Sequence, residues 1–141
     1  MGEFDGKVAI ITGAGRLRGI GRATAVHLAR LGADLLVTGT NRDPATFPPD
    51  EREVGWRDIE STAERVRAQG RRAVTLGSDI TAPRQVQEIA DVVLREYGRI
   101  DILVNNAAFV QGADRVHMCT EATSWIHGKA FNINGGSVME H

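Results

Sequence analysis

Ten residues near the front of the chain, Thr12-Gly13-Ala14-Gly15-Arg16-Leu17-Arg18-Gly19-Ile20-Gly21, stand between the apolar run Val8-Ala9-Ile10-Ile11 and a stretch of helical spacing. Glycines without Cβ let backbone N–H groups come close to a pyrophosphate, and the unpaired amides and positive dipole end of the following helix supply its counter-charge. A dinucleotide is the ligand such a strand, turn and helix start would suit. The same composition also serves an ordinary tight turn, because turns favour glycine on conformational grounds alone.

Other side chains capable of chemistry are thinly spread. Cys119 is the single cysteine, so it has no partner for an internal disulfide and a reducing compartment is expected. No His and Asn or Asp pair stands out as its activator, and ordinary packing is its expected role. His27 falls in a helical stretch, while His117, His127 and His141 are spaced by ten and fourteen residues, which suits no compact metal site. Trp56 and Trp125 are expected to anchor irregular segments to a core rather than to line a ligand. Every basic residue except Lys7 and Lys129 is arginine, but the arginines are interspersed with acids and the net charge is −1, which argues against nucleic acid or a membrane surface as partner. No run approaches a membrane span and the amino terminus lacks a signal-peptide pattern, so a cytoplasmic protein is expected. A length of 141 residues with 42% apolar content suits one compact domain over residues 1–141.

Strand-like and helix-like segments alternate along the chain, which predicts an α/β fold: a Rossmann-type, doubly wound parallel sheet with helices on both faces. The first strand is expected over residues 7–12 and the first helix over 20–31, with Ala25, Leu28 and Ala29 on its apolar face and Gly32 as its stop. Leu35-Leu36-Val37 reads as the second strand. Residues 39–57, rich in Pro, Asp and Arg, are expected to form a long exposed loop. Ile59, Ala63 and Val66 mark a second helix ending at Gly70, and residues 73–76 a third strand that runs into Gly77-Ser78-Asp79. Thr81 and Pro83 open a third helix that carries Val86, Ile89, Ala90, Val93 and Leu94 inward and stops at Tyr97-Gly98; Ile102-Leu103-Val104 is the fourth strand.

Four motifs in this order carry a family resemblance: Gly6-Lys7-Val8-Ala9 entering the first strand, the Thr12-Gly13 to Gly19-Ile20-Gly21 loop, Ser78-Asp79-Ile80-Thr81 after the third strand, and Asn105-Asn106-Ala107-Ala108 after the fourth. The chain resembles the short-chain dehydrogenases/reductases over residues 4 to about 115. The resemblance implies a dinucleotide at the loop, with Gly13, Ala14, Gly15, Arg16, Arg18, Gly19 and Ile20 as candidate phosphate-side residues. It implies that Asp79 accepts from the adenine amino group and that the Ile80 backbone lies beside the ring. Asn105 and Ala107 would approach the nicotinamide ribose through their backbones, and the Asn105 side chain would tie neighbouring strands. A purely structural Asp79, capping the turn before Thr81, is the competing reading. The family loop has three residues between Thr-Gly and Gly-Ile-Gly; here five intervene, Ala14 to Arg18, so its rim should bulge.

An acid at the end of the second strand would accept from the adenosine ribose hydroxyls and favour NAD, whereas a neutral or basic site admits NADP. Gly39 holds that position, followed by Thr40, Asn41 and Arg42, with Arg16 and Arg18 able to approach from the loop; NADP(H) is therefore expected over NAD(H).

Carbonyl/alcohol interconversion by hydride transfer, the activity the resemblance implies, uses in this family a tyrosine made acidic by a lysine four residues on, with a serine and an asparagine. The one tyrosine, Tyr97, is followed at that spacing by Asp101, and Lys7 and Lys129 are preceded by Glu3 and Trp125, so the pair is absent and no catalytic residue is assigned. Residues 114–141 instead resemble the family's last strand and glycine-pair tail, as though the fifth and sixth strands had been excised. Three explanations compete: an NADP(H)-dependent oxidoreductase whose middle these residues omit, a catalytically inactive dinucleotide-binding module, or a remnant. In a shortened sheet the fourth strand's edge would be open, so residues 130–133 are expected to add beside it, in the same chain or in a homo-oligomer, with residues 114–125 serving partly as a crossover helix. A small-molecule substrate is implied, but nothing in the residues identifies it.

Overall fold

The computed structural model describes residues 2–108 and the strands at 132–134 and 137–139. It divides into two compact units, Met1–Asn106 and Ala107–His141. The first unit follows the expected alternation: β1 Val8–Ile11, α1 Ile20–Arg30, β2 Asp34–Gly39, α2 Pro49–Glu53, α3 Ile59–Arg67, β3 Ala73–Gly77, α4 Pro83–Tyr97 and β4 Ile102–Val104, with a single 3₁₀ turn at Pro44–Thr46 before α2.

All four strands are parallel, in the order β3-β2-β1-β4. Every residue of β1 is buried, as a strand covered on both faces requires. Its side chains divide by parity. Ala9 and Ile11, with Leu35 and Val37 of β2, pack against Ala25 and Ala29 of α1 and Ile59, Ala63 and Val66 of α3. Val8 and Ile10, with Leu36, pack on the opposite face against Ile89, Val92 and Val93 of α4. Each fully buried Leu, Ile or Val contributes about 1.5–3 kcal/mol relative to exposure, so these two layers supply most of the drive to fold. Because the strands are parallel, their carboxyl ends lie along one edge of the sheet, and the turns after β1, β2, β3 and β4 gather there.

The connection at 39–57 departs from expectation. Its Asp43 to Thr46 stretch is exposed, but Phe47, Glu51 and Trp56 are 5%, 1% and 7% exposed. The polar composition disguises a segment that folds back on the glycine loop.

In the second unit, β5 Asn132–Asn134 pairs antiparallel with β6 Ser137–Met139. Within this chain the pairing departs from the expectation that residues 130–133 add beside the fourth strand: the hydrogen-bonding partner of β5 is β6. The sequence between them is Gly135-Gly136, the two-residue composition that favours an antiparallel hairpin. The expected crossover at 114–125 lies outside the described residues, as do Cys119, Trp125, His117, His127 and His141. Among the described residues no helix is long and apolar enough to cross a membrane.

Candidate functional site

β1 delivers the chain to Thr12 at the sheet edge, where Thr12 N–H donates to the Val104 carbonyl at 3.2 Å. The backbone then turns at Gly13, whose φ of +66° lies in the left-handed region. Ala14 N–H donates to the Thr38 carbonyl at 2.9 Å, and the Ala14 carbonyl accepts from the buried Thr62 hydroxyl at 2.6 Å. The loop is thus bound to β2 on one side and to α3 on the other.

Asn106 braces it from beneath. Its side-chain amide donates to the Thr12 and Gly13 carbonyls at 3.1 and 3.0 Å, and its backbone N–H donates to the Thr12 hydroxyl at 3.1 Å. The strand-tying role expected of the Asn105 side chain therefore falls to Asn106, because the residue after β4 that turns toward β1 is one position later. A Cβ at Gly21 would lie 2.6 Å from Asn106 Nδ2 and 2.9 Å from the Ala14 Cα, so only glycine lets α1 start this close to the loop.

The start of α1 leaves its first-turn amides without a side-chain partner. Its N-cap, Gly19, has no side chain to satisfy the first-turn amides, and no acid occupies that turn. Among the described residues, no hydrogen bond engages the amides of Gly15, Arg16, Arg18 or Ile20. A glycine-rich turn with unengaged donors and a positive dipole end has the chemistry to accept a pyrophosphate.

The two residues by which the loop is extended do not bulge freely. Leu17 N–H donates to Glu51 Oε1 at 2.9 Å, and Glu51, on α2, is almost fully buried. Arg16 Nε stands 3.2 Å from Glu51 Oε1, Arg42 Nη1 3.0 Å from Oε2, and Arg18 Nε 3.3 Å from Asp50. Arg42 also donates to the Gly15 carbonyl at 3.2 Å and lies over the Phe47 ring at 4.6 Å. Trp56 Nε1 donates to the same Gly15 carbonyl at 2.6 Å, so the tryptophan anchors the segment as expected. The loop extension and the 40–58 segment form one docked cluster. Each of the three arginines that suggested a phosphate-accepting site is paired with a carboxylate, from Glu51, Asp50 or Asp58.

Beyond β2, Thr40 is exposed and Asn41 adopts φ +53°, its side chain lying against Gly77 at the end of β3. After β3, Asp79 accepts from Thr81 N–H at 2.9 Å and from the Thr81 hydroxyl at 2.7 Å. The hydroxyl bond, then the backbone bond, hold its carboxyl below the usual range. That is the capping role. Ile80 follows, exposed. Asn105 is exposed at the end of β4, and Ala107 belongs to the second unit. The structure therefore brings the loop residues and Arg42 into contact, sets Thr40, Asn41, Asp79 and Ile80 along the same sheet edge, and adds Glu51, Asp58, Thr62 and Asn106, to which the sequence reading gave no role. A legible hint existed for one of these: Asp58 immediately precedes the helical periodicity of Ile59, Ala63 and Val66.

Tyr97 has no place in this site. Its hydroxyl donates to the Leu35 carbonyl at 2.7 Å, its ring is half-buried on the α4 face, and Arg72 lies over it at 4.5 Å. Burial pushes its pKa up to about 12, the reverse of what a proton-transferring tyrosine needs.

Comparison with known proteins adds to this geometry. The family model described as short chain dehydrogenase matches residues 7–140. A 12alpha-hydroxysteroid dehydrogenase of Clostridium sp. is 39% identical over 111 residues, covering 76% of this chain and 38% of the relative. Among solved structures, a carveol dehydrogenase from Mycobacterium avium in complex with NAD is 31% identical with a TM-score of 0.66, covering 86% of this chain and 43% of that one. A short chain dehydrogenase from Mycobacterium paratuberculosis bound to NAD is 32% identical with a TM-score of 0.64, covering 83% and 42%. The chain thus spans about two fifths of the length of the relatives it matches.

Proposed function

The chain belongs to the short-chain dehydrogenase family, and on that premise we propose that it is the dinucleotide-binding part of an oxidoreductase that interconverts a carbonyl compound and an alcohol. The observation that carries the reading is the uncapped start of α1, with unengaged loop amides above a turn braced by Asn106. Bound there, a nicotinamide dinucleotide would supply or accept a hydride. In this reading the backbone of Gly13, Ala14, Gly15, Arg16, Arg18, Gly19 and Ile20 surrounds the pyrophosphate, and Thr40, Asn41 and Arg42 flank the adenosine ribose. Asp79 and Ile80 border the adenine, with Asn105 and Ala107 toward the nicotinamide ribose. The tyrosine-lysine pair that the resemblance calls for is absent from these residues, and the single tyrosine is bonded into the core.

Arginine charge alone points to NADP(H). Paired as those arginines are with Glu51, Asp50 and Asp58, the local charge is balanced, and NAD(H) becomes the favoured member of the pair. The NAD carried by two of the similar structures agrees with that choice.

Calorimetric titration with NADH and NADPH tests the reading. Saturable binding is expected, lost on Gly21→Ala, whose added Cβ would press on the Asn106 amide and the Ala14 Cα while far-UV circular dichroism stays unchanged. Failure of the unaltered chain to bind either dinucleotide refutes the proposal. Adding a secondary alcohol with NAD+ separates an enzyme from a binding module: binding without NADH production marks the module.

A further inference from the structure

β2 ends at Gly39, so the position from which a strand-end acid would accept the ribose hydroxyls carries no side chain. There is also no room for one: a Cβ at Gly39 would lie 2.7 Å from Ile59 Cγ2. Asp58 Oδ1 lies 3.8 Å from that same point and fills the space over Gly15, where a Cβ would come within 1.5 Å of it. An acid reaches the end of β2 from another part of the chain.

Asp58 is held there against local preference. Its backbone sits at φ +55°, ψ −132°, a conformation that a residue with a Cβ keeps only when its surroundings impose it. As the residue before α3 it would ordinarily cap that helix, yet its side chain does not. Instead Oδ2 accepts from Arg42 N–H at 3.0 Å and lies 3.2 Å from Arg42 Nε. Among the described residues no hydrogen bond reaches Oδ1. Arg42 is itself fixed by Glu51, the Gly15 carbonyl and the Phe47 ring, so the carboxylate it holds has a set direction.

The geometry points to Asp58 as the residue that selects between the two nicotinamide dinucleotides, its Oδ1 accepting from the adenosine ribose and its charge opposing a 2′-phosphate. The assignment rests on the dinucleotide reading of the loop. A 2′-phosphate would have to meet the Asp58 carboxylate and draw Arg42 away from both Asp58 and Glu51, whereas a hydroxyl needs only the available acceptor.

The test titrates NAD+, NADP+ and the 2′-deoxyadenosine analogue of NAD+ into the unaltered chain and into Asp58→Asn. The unaltered chain is expected to prefer NAD+ to both of the others by about tenfold or more, the value of one hydrogen bond to a charged group. Asp58→Asn should weaken NAD+ by about the same factor, leave the deoxy analogue nearly unchanged and shift the ratio toward NADP+. Equal affinity of the unaltered chain for NAD+ and the deoxy analogue overturns the assignment, as does a uniform loss across all three in Asp58→Asn, the mark of a merely structural role. Either result leaves the dinucleotide site standing, whereas failure of the unaltered chain to bind any of the three overturns both. If Asp58→Asn does not fold, the deoxy comparison on the unaltered chain decides alone.

Discussion

Replacing Glu51 tests whether the cluster behind the glycine loop holds the two segments together. At 1% exposure, its carboxylate accepts from Leu17 N–H at 2.9 Å and stands between Arg16 and Arg42. The Arg16 contribution is small, because a guanidinium 57% exposed rehydrates when its partner leaves. Arg42, only 20% exposed, keeps Asp58 but loses half its counter-charge. Its contact with Oε2 is an ion pair without a well-aligned N–H, so the Leu17 bond and the stranded guanidinium carry most of the cost. Glu51→Ala should therefore lose about 3 kcal/mol, the low end of the range for breaking a buried pair. For a unit of this size, Met1–Asn106, that is a fall in Tm of about 10–14 °C. Glu51→Gln retains an acceptor for Leu17 and should lose about 1–2 kcal/mol. Thermal and urea unfolding followed by circular dichroism at 222 nm measure both. A Glu51→Ala within about 0.5 kcal/mol of the unaltered chain refutes the reasoning, because surface-like behaviour is what that value means. A Glu51→Gln more stable than the unaltered chain would show that desolvation outweighs pairing here.

Two further outcomes follow from groups away from the site. Asp101 accepts from Arg99 and from Val8 N–H, which together lower its pKa from 3.8 to about 2, so its share of stability is present above about pH 4 and lost as pH falls toward 2. Denaturant titrations between those values should show a gentler decline in Asp101→Asn; an identical decline would contradict the assignment. Tyr97→Phe deletes the bond to the Leu35 carbonyl and should cost about 1 kcal/mol with dinucleotide affinity unchanged, and because the tyrosine pKa is raised to about 12, its stabilising share should be full below pH 10 and fade above it. Loss of dinucleotide affinity in Tyr97→Phe would place that side chain in the site after all.

The strands and principal helices were legible because parallel strands covered on both faces leave unbroken apolar runs, as in Val8-Ala9-Ile10-Ile11, and because Ile59, Ala63 and Val66 repeat at helical spacing. The helix Pro49–Glu53 was not legible. Pro49-Asp50-Glu51-Arg52-Glu53 reads as a solvated charge run, and what buries Glu51 is an amide 34 residues earlier. The same blindness to pairing made Arg16, Arg18 and Arg42 look like free positive charge, when Arg16 and Arg18 have carboxylates across the fold and Arg42 has Glu51 and Asp58 later in its own segment. Local pattern finds the glycine loop because the loop is local. The proposed ribose end draws on β2, the docked segment and the start of α3, which no single window contains. Asn106 was missed for a narrower reason: two adjacent asparagines differ only in which way the chain turns after β4.

The cluster around Glu51 also constrains how such a chain can change by descent. Shortening the loop to the family's three intervening residues while residues 40–58 stay in place removes the Leu17 amide and strands an acid already shielded from water. Deleting the 40–58 segment while the loop keeps its extra residues strips Arg16 and Arg18 of their counter-charges and uncovers the Gly15 carbonyl. Either step alone leaves groups of the other segment without their partners, so the loop extension and the 40–58 segment depend on each other energetically.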